Sequence, residues 1–213
     1  MRSGEGILNN YFGITDRNQL NKIEFEFVRK RLREIQSKPI PKNFDIKYLL
    51  GIHKHLFQDV YPWAGTLREG GFSSKNRVLD NGESHIVEYS FSDYLEYNLT
   101  KELEKIKEAK YFKNSKGKEE FCNKIGDLYK ELDFLHPFAE GNSRTLREFT
   151  RQIGINTGYE IMWEKTYAIK DELYIARDLG VNNNDGSKLI KILNDITEPS
   201  KFKVISKQKD TER

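Results

Sequence analysis

The chain has 213 residues, a formal net charge of +3, 37% hydrophobic residues and 32% charged residues. That length suits one domain, and so small a charge argues against nucleic acid or an anionic membrane as a partner. There is no apolar run long enough for a transmembrane helix and no apolar signal core in residues 1–6, and the lone Cys122 excludes an intrachain disulfide and a cysteine-based zinc site.

Residues 1–13 read as an irregular lead-in. Thr15 and Asp16 are N-cap candidates for a helix with an apolar face of Leu20, Ile23, Phe27, Val28, Leu32 and Ile35, running to about residue 36. Pro39 and Pro41 break it. A second helix is expected over 44–57, followed by a turn over 61–65. Within that helix, His53 and His55 suggest metal ligation. Residues two apart on a helix point to different sides, so packing or surface roles are expected instead. Residues 66–89 are the only plausible strand region, with Asn81-Gly82 as a hairpin signal and Ile86 and Val87 on the return side. His85, in that hairpin, has no carboxylate or cysteine companion at ligand spacing.

Three helical patterns follow. The one over 92–110 buries Leu95, Leu99, Leu103 and Ile106. The one over 117–134 buries Phe121, Ile125, Leu128, Tyr129 and Leu132 and carries Cys122, read as a small reduced core residue. The third, over 143–157, turns Leu146, Phe149 and Ile153 inward and ends at Gly158. Shorter helices over 168–178 and 186–196 complete the core, and 199–213 reads as a polar, frayed tail. The expected fold is all-α with one β-hairpin: one domain over 1–198, with the hairpin at about 66–89.

The most informative stretch lies between the third and second of those patterns, from His136 to Arg147. A loop that opens a helix presents unpaired N–H groups and the positive end of the helix dipole, which suits an anion. Gly141 allows close backbone approach. Arg144 and Arg147, three apart, reach the same face, and arginine is the preferred bidentate partner of phosphate. Glu140 offers a hard oxygen ligand for Mg²⁺, and His136 suits proton transfer near neutrality. Each residue alone has a blander reading as a turn or a solvated helix face. Together they describe a phosphoryl- or nucleotidyl-transfer site.

His136, Phe138, Glu140, Gly141, Asn142, Arg144 and Arg147 fill every fixed position of H-x-F-x-[D/E]-G-N-x-R-x-x-R, so the stretch resembles the signature of the Fic family. Tyr11-Phe12-Gly13-Ile14 resembles the N-terminal segment of bacterial Fic toxins and secreted effectors, and Ile52-His53 through Tyr61-Pro62-Trp63-Ala64-Gly65-Thr66-Leu67-Arg68 resembles the segment leading into the family's target-docking flap. The resemblance implies a Fic-type helical domain and a protein adenylyltransferase, which moves AMP from ATP to a hydroxyl side chain (Ser, Thr or Tyr) of a target protein. It implies that His136 takes the hydroxyl proton and that Glu140 holds Mg²⁺ on the phosphates. Gly141, Asn142 and Ser143 would form an anion hole, Arg144 and Arg147 would hold the β- and γ-phosphates, and Phe138 would pin the loop into the core. The hairpin would be a flap that docks the target by added-strand pairing, with Phe72, Ser74 and Lys75 as its docking residues.

Many Fic proteins carry an inhibitory [S/T]-x-x-x-E-[G/N] helix whose Glu competes with the γ-phosphate. No such match occurs in this sequence: Ser84, Ser92, Thr100 and Ser115 have the Glu at the right distance but the wrong residue after it. The resemblance therefore implies a separate small antitoxin protein, or a Fic domain belonging to a longer secreted effector. The expected location is the bacterial cytoplasm, or a host cell if the protein is translocated. Other readings are a Fic-fold transferase of another nucleotide or of phosphocholine, and a non-catalytic binding module.

Overall fold

The computed structural model describes residues 7–201. Helix α1, Arg17–Gln36, starts where Asp16 accepts a hydrogen bond from the Gln19 N–H at 2.7 Å, the capping expected of an acidic residue at that position. Helix α2, Ile46–Phe57, is capped in the same way by Asp45. Phe44 therefore lies outside the helix, fully buried against Tyr48, Tyr111 and Phe149. The expected lead-in is more ordered than its sequence suggests. The Asn10 carboxamide accepts from the Phe12 and Ile14 N–H groups, donates to the Ile14 carbonyl, and so folds residues 10–14 into a turn.

Strands β1, Ser73–Val78, and β2, Ser84–Tyr89, pair antiparallel from Ser73↔Tyr89 to Val78↔Ser84. Helix α3, Leu95–Glu108, buries the expected four apolar residues. Helices α4, Lys118–Leu135, and α5, Asn142–Thr157, form the centre, joined by the loop of interest. α5 is buried on nearly all sides, including polar Glu148, Arg151 and Gln152. These satisfy one another: Glu148 accepts from Arg151 at 2.8 and 2.9 Å and from Gln152 at 2.7 Å. Cys122 is buried and unpaired with any other cysteine.

Three expectations need correction. The hairpin is not the only strand region: β3, Tyr159–Ile161, and β4, Thr197–Pro199, pair antiparallel. Three-residue strands are too short to show a two-residue alternation. Pro199 thus belongs to a sheet rather than a frayed tail, and the tail beyond residue 201 lies outside the described residues. Helix α6, Lys170–Asn183, outruns its expected end at 178, and α7, Ser187–Ile196, follows. Gly180 does not stop α6. It sits where a Cβ would come within 3.0 Å of the Lys130 side chain, so it lets α6 close on α4.

Candidate active site

The loop between α4 and α5 is tied down from three directions. His136 ends α4 in a left-handed conformation, φ 46°, ψ 62°. Arg68, from the segment before the hairpin, binds the exposed end of that helix. Its Nε donates to the His136 carbonyl at 2.7 Å, its Nη2 to the carbonyls of Leu135 and Ser90, and its Nη1 to Gly71 at 2.9 Å. A cation at a helix C-terminus is also favoured by the helix dipole. Phe138 is fully buried, its ring 3.8 Å from that of His53 and nearly parallel. His53 accepts the Gly65 N–H at Nδ1, 2.8 Å, which fixes its tautomer, so Nε2 donates to the Glu140 carbonyl at 3.0 Å. Burial lowers the His53 pKa to about 4, which keeps the ring neutral in this role. The expected packing role for His53 thus has a specific form: it supports the loop.

Asn142 closes the loop with its side chain. Its Oδ1 accepts from the Phe138 N–H at 2.8 Å and its Nδ2 donates to the Phe138 carbonyl at 2.7 Å. The expected anion hole is narrower as a result. The Asn142 amide is committed to the loop, and the Gly141 N–H donates to Glu140 Oε1 at 2.8 Å. What remains is the start of α5, which has no side-chain cap and whose first helical bond is Thr145 N–H to the Gly141 carbonyl, 3.0 Å. The backbone N–H groups of Asn142, Ser143 and Arg144 precede that bond and point out of the helix end. Gly141 is required at its position. Its φ is 81°, and a Cβ there would lie 2.3 Å from the Phe57 ring.

His136 stacks on Tyr89 of β2 with ring centroids 3.6 Å apart. Burial lowers its pKa to about 4, against the opposing pull of Asp133, so the imidazole is neutral at pH 7. Its Nδ1 is buried with no hydrogen-bond partner among the described residues. Burial pushes the Glu140 carboxyl up, but Arg144, the Gly141 N–H and Lys75 outweigh it and hold the group below the usual range, as a carboxylate.

These residues border one cleft of about 500 Å³, together with Ser143, Arg144, Arg147 and, from the hairpin, Ser74 and Lys75. Among the described residues, six cationic side chains face it, Arg17, Lys75, Arg77, Arg144, Arg147 and Arg177, against the single carboxylate of Glu140. Asp178 pairs with Arg77, Asp133 with Arg177, and Glu24 and Glu140 with Arg144. Arg17, Lys75 and Arg147 have no ion pair among the described residues. Arg147 stands on the second turn of α5, its guanidinium 5.4 Å from the Trp163 ring and its Nε buried without a partner. Such a cleft is built for a polyanion. Phe72 does not border it: the ring is 48% exposed at the hairpin base, against Phe91.

The family model for the Fic/DOC family matches residues 43–153, from α2 through most of α5. The chain belongs to the Fic/DOC family. Among curated relatives, it is 33% identical over 162 residues to the protein adenylyltransferase VbhT of Bartonella schoenbuchensis, covering 75% of this chain and 31% of that protein. A protein adenylyltransferase of Bartonella henselae is 25% identical over 205 residues, covering 93% of this chain and 37% of the relative. The chain thus spans about a third of the length of these two relatives. A probable protein adenylyltransferase Fic of Escherichia coli is 26% identical over 161 residues and is covered to 74%. Solved structures share the fold. BepC, a VirB-translocated effector of Bartonella tribocorum with bound AMPPNP, superposes with a TM-score of 0.81 at 23% identity, over 94% of this chain and 97% of that one. The N-terminal Fic domain of a Bartonella quintana effector with bound ADP gives 0.78 at 24% identity, over 91% and 92%.

In this Fic domain the site is completed by residues beyond the matched region, and sequence reasoning missed them. Asp178 of α6 receives Arg77 of β1 through two bonds, 2.8 and 2.9 Å, and His85 of β2 at 2.8 Å. His85 therefore does have a carboxylate companion, supplied by the fold and not by local spacing. Asn182, one turn on, donates to the Ile86 carbonyl at 2.8 Å and accepts from the Glu88 N–H at 3.1 Å. It fills the outer edge of β2 as a neighbouring strand would. No local motif announces pairs that lie more than ninety residues apart.

Proposed function

We propose that the chain is a protein adenylyltransferase that transfers AMP from ATP to a Ser, Thr or Tyr hydroxyl of a target protein. The observation that carries the reading is the convergence of an uncapped helix start, an unpaired Arg147 and a neutral His136 on one cleft beside a flap strand. The phosphates lie on the free N–H groups of Asn142, Ser143 and Arg144, with Arg144 and Arg147 on the β- and γ-phosphates. His136 takes the hydroxyl proton as the oxygen attacks the α-phosphorus and the bond to pyrophosphate breaks. A pKa of about 4 makes the imidazole a weak base, and the negative charge of ATP beside it would raise that value.

Mg²⁺ fits Glu140. One oxygen of that carboxylate takes the Gly141 and Arg144 bonds, and the other takes none. Among the described residues no group of three or more His, Cys, Asp or Glu could hold a metal alone, so the ion would draw its other ligands from phosphate and water, as Mg²⁺ prefers. Its contribution is to neutralise phosphate charge. For target docking, β1 is the available edge, since Asn182 fills that of β2 while Ser73, Ser74 and Lys75 of β1 border the cleft.

No described helix is long and apolar enough to cross a membrane. By analogy with the translocated relatives, the target is a bacterial protein or a host protein reached by secretion. A small inhibitory protein with a Ser/Thr-x-x-x-Glu-Gly/Asn helix would act by pairing its Glu with the unpaired Arg147. Calorimetric titration of the protein with ATP, with and without Mg²⁺, tests the site. Tight, Mg²⁺-dependent binding supports the reading, and absence of binding contradicts it.

A further inference from the structure

Helix α6 brings one more arginine to the cleft. Arg177 lies outside the signature and beyond residues 43–153 matched by the family model. It is 4% exposed, yet it borders the cleft beside His136, Ser143, Arg144 and Arg147. Its Nε and Nη2 donate to the two carboxylate oxygens of Asp133 at 2.9 and 2.7 Å. That pairing occupies one edge of the guanidinium. Nη1, on the other edge, reaches only the Ser143 hydroxyl, at 3.3 Å. This is long for a bond from a charged donor, which normally closes to about 2.7–2.9 Å. Ser143 is the second residue of α5, where the backbone N–H groups are unpaired.

Stability alone gives little reason for this arrangement. A buried ion pair stabilises a fold little more than apolar residues of the same volume would. Asp133 does not itself border the cleft, so it holds the arginine from behind. Tyr129 lies under the guanidinium, 5.7 Å away. The side chain is fixed on two sides, and its remaining donors face the anion end of the cleft.

We propose that Arg177 is a third phosphate-binding arginine of the site, supplied by α6, and that Asp133 is the positioning residue that aims it. Nη1 donates to a phosphate oxygen of the nucleotide seated on the start of α5, beside the Ser143 hydroxyl. The proposal rests on the nucleotide-transfer reading above. It adds a contact that the signature does not contain.

The test is calorimetric titration of the folded protein with ATP and with pyrophosphate, beside its melting curve. Arg177→Gln alone would strand a buried carboxylate, so it is combined with Asp133→Asn, which removes both charges. The double variant should melt near the parent while both ligands bind about tenfold to a hundredfold more weakly, the loss expected for one charge-assisted bond. Arg177→Lys keeps the charge and the Asp133 partner but lacks the second edge, and it should show the same loss. Should either variant fold and bind both ligands as the parent does, Arg177 is structural and the proposal falls alone. If the parent binds neither ligand, the nucleotide reading falls and takes this proposal with it.

Discussion

Replacing Gly141 by Ala should damage the site at its hinge. Two costs arise. The residue holds φ at 81°, a left-handed conformation that costs a residue with a Cβ about 1–2 kcal/mol. The added methyl would also lie 2.3, 2.4 and 3.0 Å from three carbons of the Phe57 ring. That ring cannot easily turn away: it is fully buried, with His53 at 4.7 Å on one contact and the Arg144 guanidinium at 4.8 Å on another. Forced overpacking of this kind costs about 1–3 kcal/mol. The sum is about 2–5 kcal/mol, or a melting temperature lower by about 4–20 °C for a chain of this size. Because the loop must shift to admit the methyl, ATP affinity should fall as well. Phe57→Leu in the same chain should recover the overpacking part only, so the two changes together cost less than their sum. Thermal denaturation of the four proteins, followed by ATP titration, reads each part. A Gly141→Ala protein with the parental melting temperature would refute both the strain and the ring contact.

His136→Ala should lower transfer by about 10²–10⁴-fold while ATP binding and folding persist; a loss under about tenfold in a transfer assay would remove the residue from its role. Arg147→Ala should weaken ATP binding by about tenfold to a hundredfold in a titration, with little change in melting temperature, since the side chain has no ion pair among the described residues. Acid should destabilise the fold through two histidines. Unfolded imidazoles titrate near 6.5 and the folded ones of His53 and His136 at about 4, so between those values the unfolded chain binds the extra protons. Stability is full above about 6.5 and falls toward 4, by at most about 1.36 kcal/mol per pH unit for each ring. His136→Asn should make a plot of stability against pH shallower over that window, and an unchanged slope would contradict the assignment. Asn182→Ala should speed amide exchange at Glu88 of the flap, whose N–H donates to the Asn182 carboxamide, without changing ATP affinity, and unchanged exchange would show that the flap holds its edge unaided.

The helices were legible where one residue decided their ends. Asp16 and the proline pair bounded α1, and Gly158 stopped α5 in the left-handed conformation that its position predicts. The signature loop was legible too, because its chemistry is packed into consecutive residues. The sequence hid what depends on distant partners. Nothing near Asn142 reveals that its amide is spent on Phe138, and nothing near His53 reveals that it carries the Glu140 carbonyl. Arg68 ends the segment that resembles the lead-in to the flap, but nothing near it in sequence reveals that four carbonyls converge on it. Asp178 and Asn182 lie on a helix whose sequence gave no sign that it anchors the flap. The reach of α6 past residue 178 was not legible, because the close approach of Gly180 to α4 is a tertiary feature.

The central claim is that the cleft transfers AMP, and the most direct measurement is transfer of label to protein. Parent and His136→Ala proteins are each incubated with Mg²⁺, a bacterial or host-cell lysate, and ATP radiolabelled in either the α- or the γ-phosphate. The expected result is a protein band labelled from α-labelled ATP by the parent alone, with no band from γ-labelled ATP. A band from the γ-label would make the chain a kinase, and equal α-labelling by the His136→Ala protein would contradict the assigned chemistry outright.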